Sequence, residues 1–263
     1  MSKAFDAYTL KIIAIVGMIL QHGAIILEGV IPYAVQIPMH LAGGLTFPIL
    51  AFFLIEGFKH TSNVKKYILR ILVFAIISQI PYVIAYGTPW FMPLNIMFIL
   101  SMGLIMLHLY DHMQSRGGFW VLFAIFLLIS FIIEWGIIGI LMIWMYKMIK
   151  DEKKRTFWPA MMAALANGIL GLLAMIGVAM FKAMPDYMAN DPKMAGLSEL
   201  MESFTVEMMS LTVFFALGNA LAIYFIRRYN GERGKNLKYL FYIIYPLHFV
   251  VLALIAYVLG VLS

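Results

Sequence analysis

Apolar runs about as long as a bilayer is thick follow one another with little polar sequence between them, which leaves this chain few ways to fold. A hydrocarbon core of about 30 Å takes about 20 helical residues at about 1.5 Å each. Nine runs meet or approach that length: Thr9 to Gly29, Met39 to Phe58, Tyr67 to Tyr86, Leu94 to Tyr110, Phe119 to Ile133, Ile137 to Ile149, Trp158 to Phe181, Met208 to Ile226 and Tyr239 to Leu259. Lipid offers backbone amides no partners, so spanning segments of this kind fold as helices. The expectation is an all-α, polytopic integral membrane bundle of about nine transmembrane helices. With 63% hydrophobic and 12% charged residues, against roughly 25% charged in a soluble domain, residues 1–263 read as a single transmembrane domain.

Charge sets the expected orientation. If the N-terminus is cytoplasmic, all but Lys182 and Lys193 of the 19 Lys and Arg fall at the inner side, as the positive-inside rule requires. Nine crossings then leave the C-terminus outside. The fifth and sixth runs are short and separated only by Glu134, Trp135 and Gly136, which fits a hairpin turn or a kink in one helix; merging them would send the later basic loops to the wrong side. They are therefore read as two helices. The longest loop, 182–207, falls outside and is acidic. Its Leu197, Leu200, Met201 and Phe204 recur at helical spacing, which fits an amphipathic surface helix or a solvated connector.

Composition excludes several chemistries. The chain has no cysteine, hence no disulfide, no thiolate metal site and no cysteine nucleophile. The net charge of +6 is spread over alternate helix ends and does not form a nucleic-acid-binding face. Walker loop, dinucleotide fingerprint, HExxH and GxSxG patterns are all missing. No metal site is expected: His108 and His112 flank Asp111 without a supporting carboxylate cluster. Trp90, Trp120, Trp135 and Trp158, near helix ends, read as interfacial anchors.

What remains is a set of polar groups at membrane depth. His22 lies eleven residues after Lys11, roughly 16 Å along the same helix and on nearly the same face. Ionisable side chains within spans usually face a protein interior or a water-filled cavity, so His22 is either a functional base or a neutral imidazole bridging two helices. His248 in the last helix, with Tyr245 one turn before it, poses the same choice. Glu56 and His60 are four apart at an inner helix end, as an ion pair or part of a cytoplasmic entry. Lys59, Lys65, Lys66 and Arg70 follow, either as ordinary inner-loop cations or as phosphate ligands of a nucleotide-bearing donor. Gln79 and Asn95 are membrane-depth amides of the kind that bridge helices. Gly43 and Gly44 permit close helix approach, and Pro48 is placed to kink the second span.

The stretches LKIIAIVGMILQHGA, FPILAFFLIEGFKHTSNVKKYILRILVFAIISQIPY, LNIMFIL, EWGIIGILMIWMY and KYLFYIIYPLHFVV resemble the TraX family of membrane proteins and, through it, the wider group of transmembrane acyltransferases. The similarity runs through most of the chain and is weak from about Thr156 to Arg233. It implies acetylation of a pilin N-terminal amine, with acetyl-CoA as donor, in the bacterial inner membrane. His22 looks like the first-helix histidine of the wider group, and Lys11 stands at the place of the basic or polar residue eleven positions earlier. TraX-like sequences commonly have Asp immediately before this histidine and Arg shortly before the Phe-Pro; here those places hold Gln21 and Gly44.

The resulting expectation is an acyltransferase with His22, Glu56 and His248 as catalytic groups. Lys11, Lys59, His60, Lys65, Lys66, Arg70, Gln79, Asn95 and Tyr245 would bind substrate, and Asn95, Gln79 and Tyr245 are unranked donors to an oxyanion. The acceptor would be an exported pilin-like protein or an envelope glycan or lipid. The alternatives are a proton-coupled transporter, in which His22, Glu56 and His248 form a relay, and a non-catalytic pilus or envelope assembly factor.

Overall fold

The computed structural model describes residues 4–88, 92–183, 206–235 and 238–262. The acidic loop expected at 182–207 therefore lies almost wholly outside the described residues, as does Trp90. The regular elements of the described residues are all helices. Its helices are α1 (Ala7–Ile26), α2 (Tyr33–Gly43), α3 (Thr46–His60), α4 (Val64–Tyr86), α5 (Ile96–His112), α6 (Arg116–Ser130), α7 (Gly136–Met148), α8 (Glu152–Arg155), α9 (Trp158–Lys182), α10 (Val206–Arg227) and α11 (Lys238–Val258). Six stretches are long and apolar enough to cross a membrane, counting Tyr33–His60 and Glu152–Lys182 each as one; α5, α6 and α7 are apolar but shorter.

One end of the bundle gathers the basic segments. The N-terminal strand of chain pairs with the loop after α10, where Phe5 and Tyr229 form a β-bridge and Ala7 N–H donates to the Glu232 carbonyl. Asp6 caps α1 by accepting from the Thr9 amide at 2.7 Å. Hydrogen bonds from the Thr9 side chain and amide hold the Asp6 carboxyl below the usual carboxylate range. At the same end Arg155 pairs with Glu56 at 3.0 Å and Lys147 with Asp111 at 2.7 Å. The described chain thus passes nine times between this basic end and the opposite one, with α2–α3 and α8–α9 each making one pass.

The second pass is broken at Gly44 and Leu45, upstream of Pro48, which sits harmlessly in the first turn of α3 where a missing N–H costs nothing. Close packing accounts for the glycine at the break. A Cβ on Gly44 would lie 2.1 Å from the Phe215 carbonyl oxygen of α10, and one on Gly218 would lie 2.1 Å from the Leu41 carbonyl oxygen. On the other side, a Cβ on Gly17 of α1 would meet the Ala42 carbonyl oxygen at 2.2 Å. Three glycines thus let α1, the α2–α3 junction and α10 touch backbone to backbone, the device by which helices associate where lipid supplies no hydrophobic drive.

The interior is built from Leu10, Ala14, Phe47, Ile49, Ile99, Leu104, Tyr146 and Phe249, all fully buried. Around it, α4, α6, α9 and α11 turn apolar faces outward: Ile76 is 57% exposed, Leu128 68% and Leu173 60%. Such faces suit lipid, and Trp120 and Trp158 are half exposed on them near helix ends.

A histidine pair and a carboxylate at membrane depth

The two histidines, 226 residues apart in sequence, meet. His22 Nδ1 lies 2.8 Å from His248 Nε2, and both residues are 95% buried. The remaining nitrogen of His248, Nδ1, lies 3.1 Å from the Ile244 carbonyl oxygen. A carbonyl only accepts, so His248 Nδ1 carries a proton and donates it. In the neutral imidazole, His248 Nε2 is then a lone pair, which accepts from His22 Nδ1–H. His22 Nε2 is left as an unprotonated base, and this tautomer follows from one backbone oxygen.

That free nitrogen faces Glu134. His22 Nε2 and Glu134 Oε1 are 3.8 Å apart, too far for a direct hydrogen bond and close enough for strong attraction once the ring is charged. Glu134 is fixed by its other oxygen, which accepts from the Ile96 amide at 3.0 Å. The backbone on both sides is clamped as well: Leu94 N–H donates to Ile132 O and Glu134 N–H to Leu94 O, both at 2.8 Å, in a β-bridge between Leu94 and Ile133. This places Glu134 over the N-terminus of α5, whose positive end favours a carboxylate.

Helix lengths explain why a carboxylate sits so deep. The 15 residues of α6 and 13 of α7 reach only about 22 and 20 Å from the basic end. Their connection at 131–135 consequently falls short of the far surface of a bilayer about 30 Å thick. In α1, His22 lies about 22 Å from Ala7, at a matching depth.

Glu134 and His22 open on a cavity of about 220 Å³ that Gln21, Thr46, Trp135, Asn167 and Phe215 help to line. Trp135 adopts a left-handed backbone conformation (φ 71°), rare for a bulky residue. Its indole stacks on Phe47 with centroids 4.4 Å apart. It is a cavity wall, not the interfacial anchor expected from its position near a helix end. On the other side of the histidines, Phe249 stacks on His22 at 4.7 Å and Tyr86 meets it edge-on at 6.0 Å.

Tyr245 packs edge-on to His248 at 5.5 Å and its buried hydroxyl has no hydrogen-bond partner. Asn95 is consumed by the fold: both amide hydrogens are given, to Ala75 O and Gln79 Oε1 at 2.8 Å each, and its oxygen caps α5 by accepting from Met97 N–H. Gln79 reciprocates by also accepting from Asn95 N–H and donating to Pro93 O. Glu56 is not part of the histidine cluster. It lies ten residues along α3 from Thr46, about 15 Å towards the basic end, where it accepts from Lys59 and Arg155 and has His60 at 4.0 Å. Lys11 sits between the Phe53 and Phe241 rings. Lys65 and Lys66 are exposed at the start of α4, whereas Arg70 turns to donate to the Tyr242 hydroxyl at 3.0 Å. The basic run that follows Glu56 in sequence is thereby dispersed over different faces.

The family model described as TraX protein matches residues 6–256, nearly the whole of the chain. The chain belongs to the TraX family. Within the curated relatives it is similar to a probable fimbrial assembly protein FimC, serogroup H1, of Dichelobacter nodosus, at 28% identity over 264 residues that cover 94% of each chain. No solved structure matches. The two departures from the TraX pattern have structural counterparts. Gln21 lines the cavity beside His22, and Gly44 has the α10 backbone in the space any side chain would take.

Proposed function

We propose that this TraX-family chain is a transmembrane acyltransferase in which His22 is the general base, acetyl-CoA is the donor, and the acceptor is an amine of the pilin N-terminus type. The observation that carries the reading is the bare Nε2 of His22, fixed by the Ile244–His248–His22 chain and facing a carboxylate in a membrane-depth cavity. The family, and a relative named for fimbrial assembly, support an exported pilin-like acceptor.

The chemistry suits these groups. His22 Nε2 takes a proton from the attacking amine as its nitrogen bonds to the thioester carbonyl carbon and the carbonyl π pair moves to oxygen. Collapse of the tetrahedral intermediate breaks the carbon–sulfur bond, and the departing thiolate recovers a proton from the imidazolium. Glu134 serves this step by stabilising the imidazolium that forms while His22 holds the proton. Opposite charges about 4 Å apart attract by on the order of 4 kcal/mol at an effective dielectric of about 20. Of the three donors named for the oxyanion, Asn95 gives both amide hydrogens to the fold and Gln79 gives one to Pro93 O, whereas the Tyr245 hydroxyl has no hydrogen-bond partner and is the one left uncommitted. The positive-inside rule makes the basic end cytoplasmic, the compartment that supplies acetyl-CoA, with the acceptor arriving from the opposite side.

The test is transfer of label from radiolabelled acetyl-CoA by the bilayer-reconstituted protein to an added pilin-like peptide with a free N-terminus. Wild type is expected to transfer and His22→Ala to retain donor binding while losing about 10²- to 10⁴-fold in rate, the usual worth of a positioned base. Equal rates in the two proteins would overturn the role of His22. Movement of a solute across the bilayer with no covalent change would replace acyl transfer by transport.

A further inference from the structure

The basic end holds a second and larger cavity that the histidine site does not use. About 610 Å³ in volume, it lies between α3, α8, the end of α10 and the loop that follows, within the size range of small-molecule sites. Phe52, Ile226 and Tyr229 supply apolar and aromatic surface, and Lys153, Arg155 and Arg227 supply three cations. Two carboxylates, Glu56 and Glu152, also line it, but Glu56 is already held by Arg155 and by Lys59 from outside the cavity lining. Among the described residues Lys153 and Arg227 enter no ion pair. Arg155 spends one nitrogen on Glu56, and its Nε is buried with no hydrogen-bond partner. Arg227 is held over the Phe157 ring, 5.2 Å from its centroid, and reaches only a long 3.4 Å hydrogen bond to the Lys153 carbonyl. A buried guanidinium nitrogen without an acceptor, beside two uncommitted cations and an aromatic wall, is a site lacking its anion.

We infer that this cavity binds the phosphates of a nucleotide-bearing ligand through Arg155, Arg227 and Lys153, with the aromatic wall of Phe52 and Tyr229 taking the ligand's apolar part. The assignment moves phosphate recognition away from the Lys59 to Arg70 run. There Lys65 and Lys66 are exposed on a helix surface and Arg70 is engaged by Tyr242. The identity of the ligand as the acyl donor rests on the acyl-transfer reading; the anion site itself does not. Geometry connects the two cavities, because α3 lines both. Thr46 faces the His22 cavity and Phe52 the basic one, six residues or about 9 Å apart along the axis. The phosphate ligand Arg155 pairs with Glu56, ten residues or about 15 Å along α3 from Thr46, and that is the separation the thioester arm of an anchored donor has to span.

The experiment is equilibrium binding of CoA and, separately, of inorganic pyrophosphate to the full-length reconstituted protein, for wild type, Arg155→Gln, Arg227→Gln, Lys153→Gln and the double variant Lys65→Gln/Lys66→Gln. Arg227→Gln and Lys153→Gln break no ion pair and keep the test valid if Arg155→Gln fails to fold. Each of the three cavity variants is expected to weaken CoA binding about tenfold or more, the usual worth of one charge-assisted hydrogen bond, while the double variant changes it less than twofold. CoA binding that falls with Lys65/Lys66 and is untouched by Arg227 or Lys153 overturns the site yet leaves the acyl-transfer reading standing. Pyrophosphate binding that depends on Arg227 and Lys153, with no CoA binding, upholds the anion site and removes CoA as the donor. Binding of neither probe overturns the site.

Discussion

In the proposed reaction His248 acts through His22 and does not itself line the cavity, which makes its contribution separable. His248→Phe keeps a ring in the space but removes the acceptor of His22 Nδ1–H, so the His22 proton is free to sit on Nε2 and block the base. Label transfer is expected to fall about 10- to 100-fold with donor affinity unchanged; an unchanged rate would show that the tautomer is set elsewhere. Glu134 invites a paired comparison. Glu134→Gln retains an acceptor for the Ile96 amide and removes only the charge, so activity should drop with little change in the unfolding midpoint. Glu134→Ala also strands that buried amide, at a cost of about 1–3 kcal/mol, and should lower both. The sequence offers the two histidines as membrane-depth bases, but not their contact, because nothing local to either residue reports a partner 226 positions away. Glu134 is hidden for a different reason. Within EWG it reads as punctuation between two helices, and the clue to its depth is the length of the flanking runs, each too short to carry the turn out of the membrane.

At the scale of elements, run lengths and breakers make nearly every helix legible, while the packing that orders them is not. The second pass shows the difference. Pro48 is the obvious kink in the sequence, yet the break falls at Gly44 and Leu45, where α10 occupies the space a side chain would need. Helix propensity and proline chemistry are local; backbone contact between α2–α3 and α10 is not. Gly44→Leu should accordingly force these elements apart and cost on the order of 1–3 kcal/mol or more, as overpacking does. It should also disturb the His22 cavity through Thr46, two residues away. Gly117→Ala, where a Cβ meets nothing within 4 Å, should be neutral or slightly stabilising in the first turn of α6. Thermal unfolding in detergent would compare them, and equal midpoints would mean that α10 yields without loss.

Across the whole molecule, the two cavities lie at different depths along one helix, and their division of labour depends on which end of the bundle faces the cytoplasm. The basic end gathers Lys59, Lys147, Lys153, Arg155, Arg227 and the N-terminal pairing with the 229–232 loop, and insertion normally retains such segments inside. A chain without cysteine allows this to be read directly from single introduced thiols. Lys66→Cys and Gln114→Cys mark the basic end at two turns; Gly29→Cys and Leu259→Cys mark the opposite end, all four at exposed positions. On intact bacterial spheroplasts, a membrane-impermeant maleimide is expected to label positions 29 and 259 at once, and positions 66 and 114 only after lysis. The reverse pattern would turn the phosphate cavity outward, away from the nucleotide pool. A cytoplasmic donor would then have to enter from the Glu134 side, and the anchoring proposed for Arg155 and Arg227 would lose its purpose. Because the two positions at each end sit in separate turns, agreement within each pair also tests the alternation of passes on which both cavities depend.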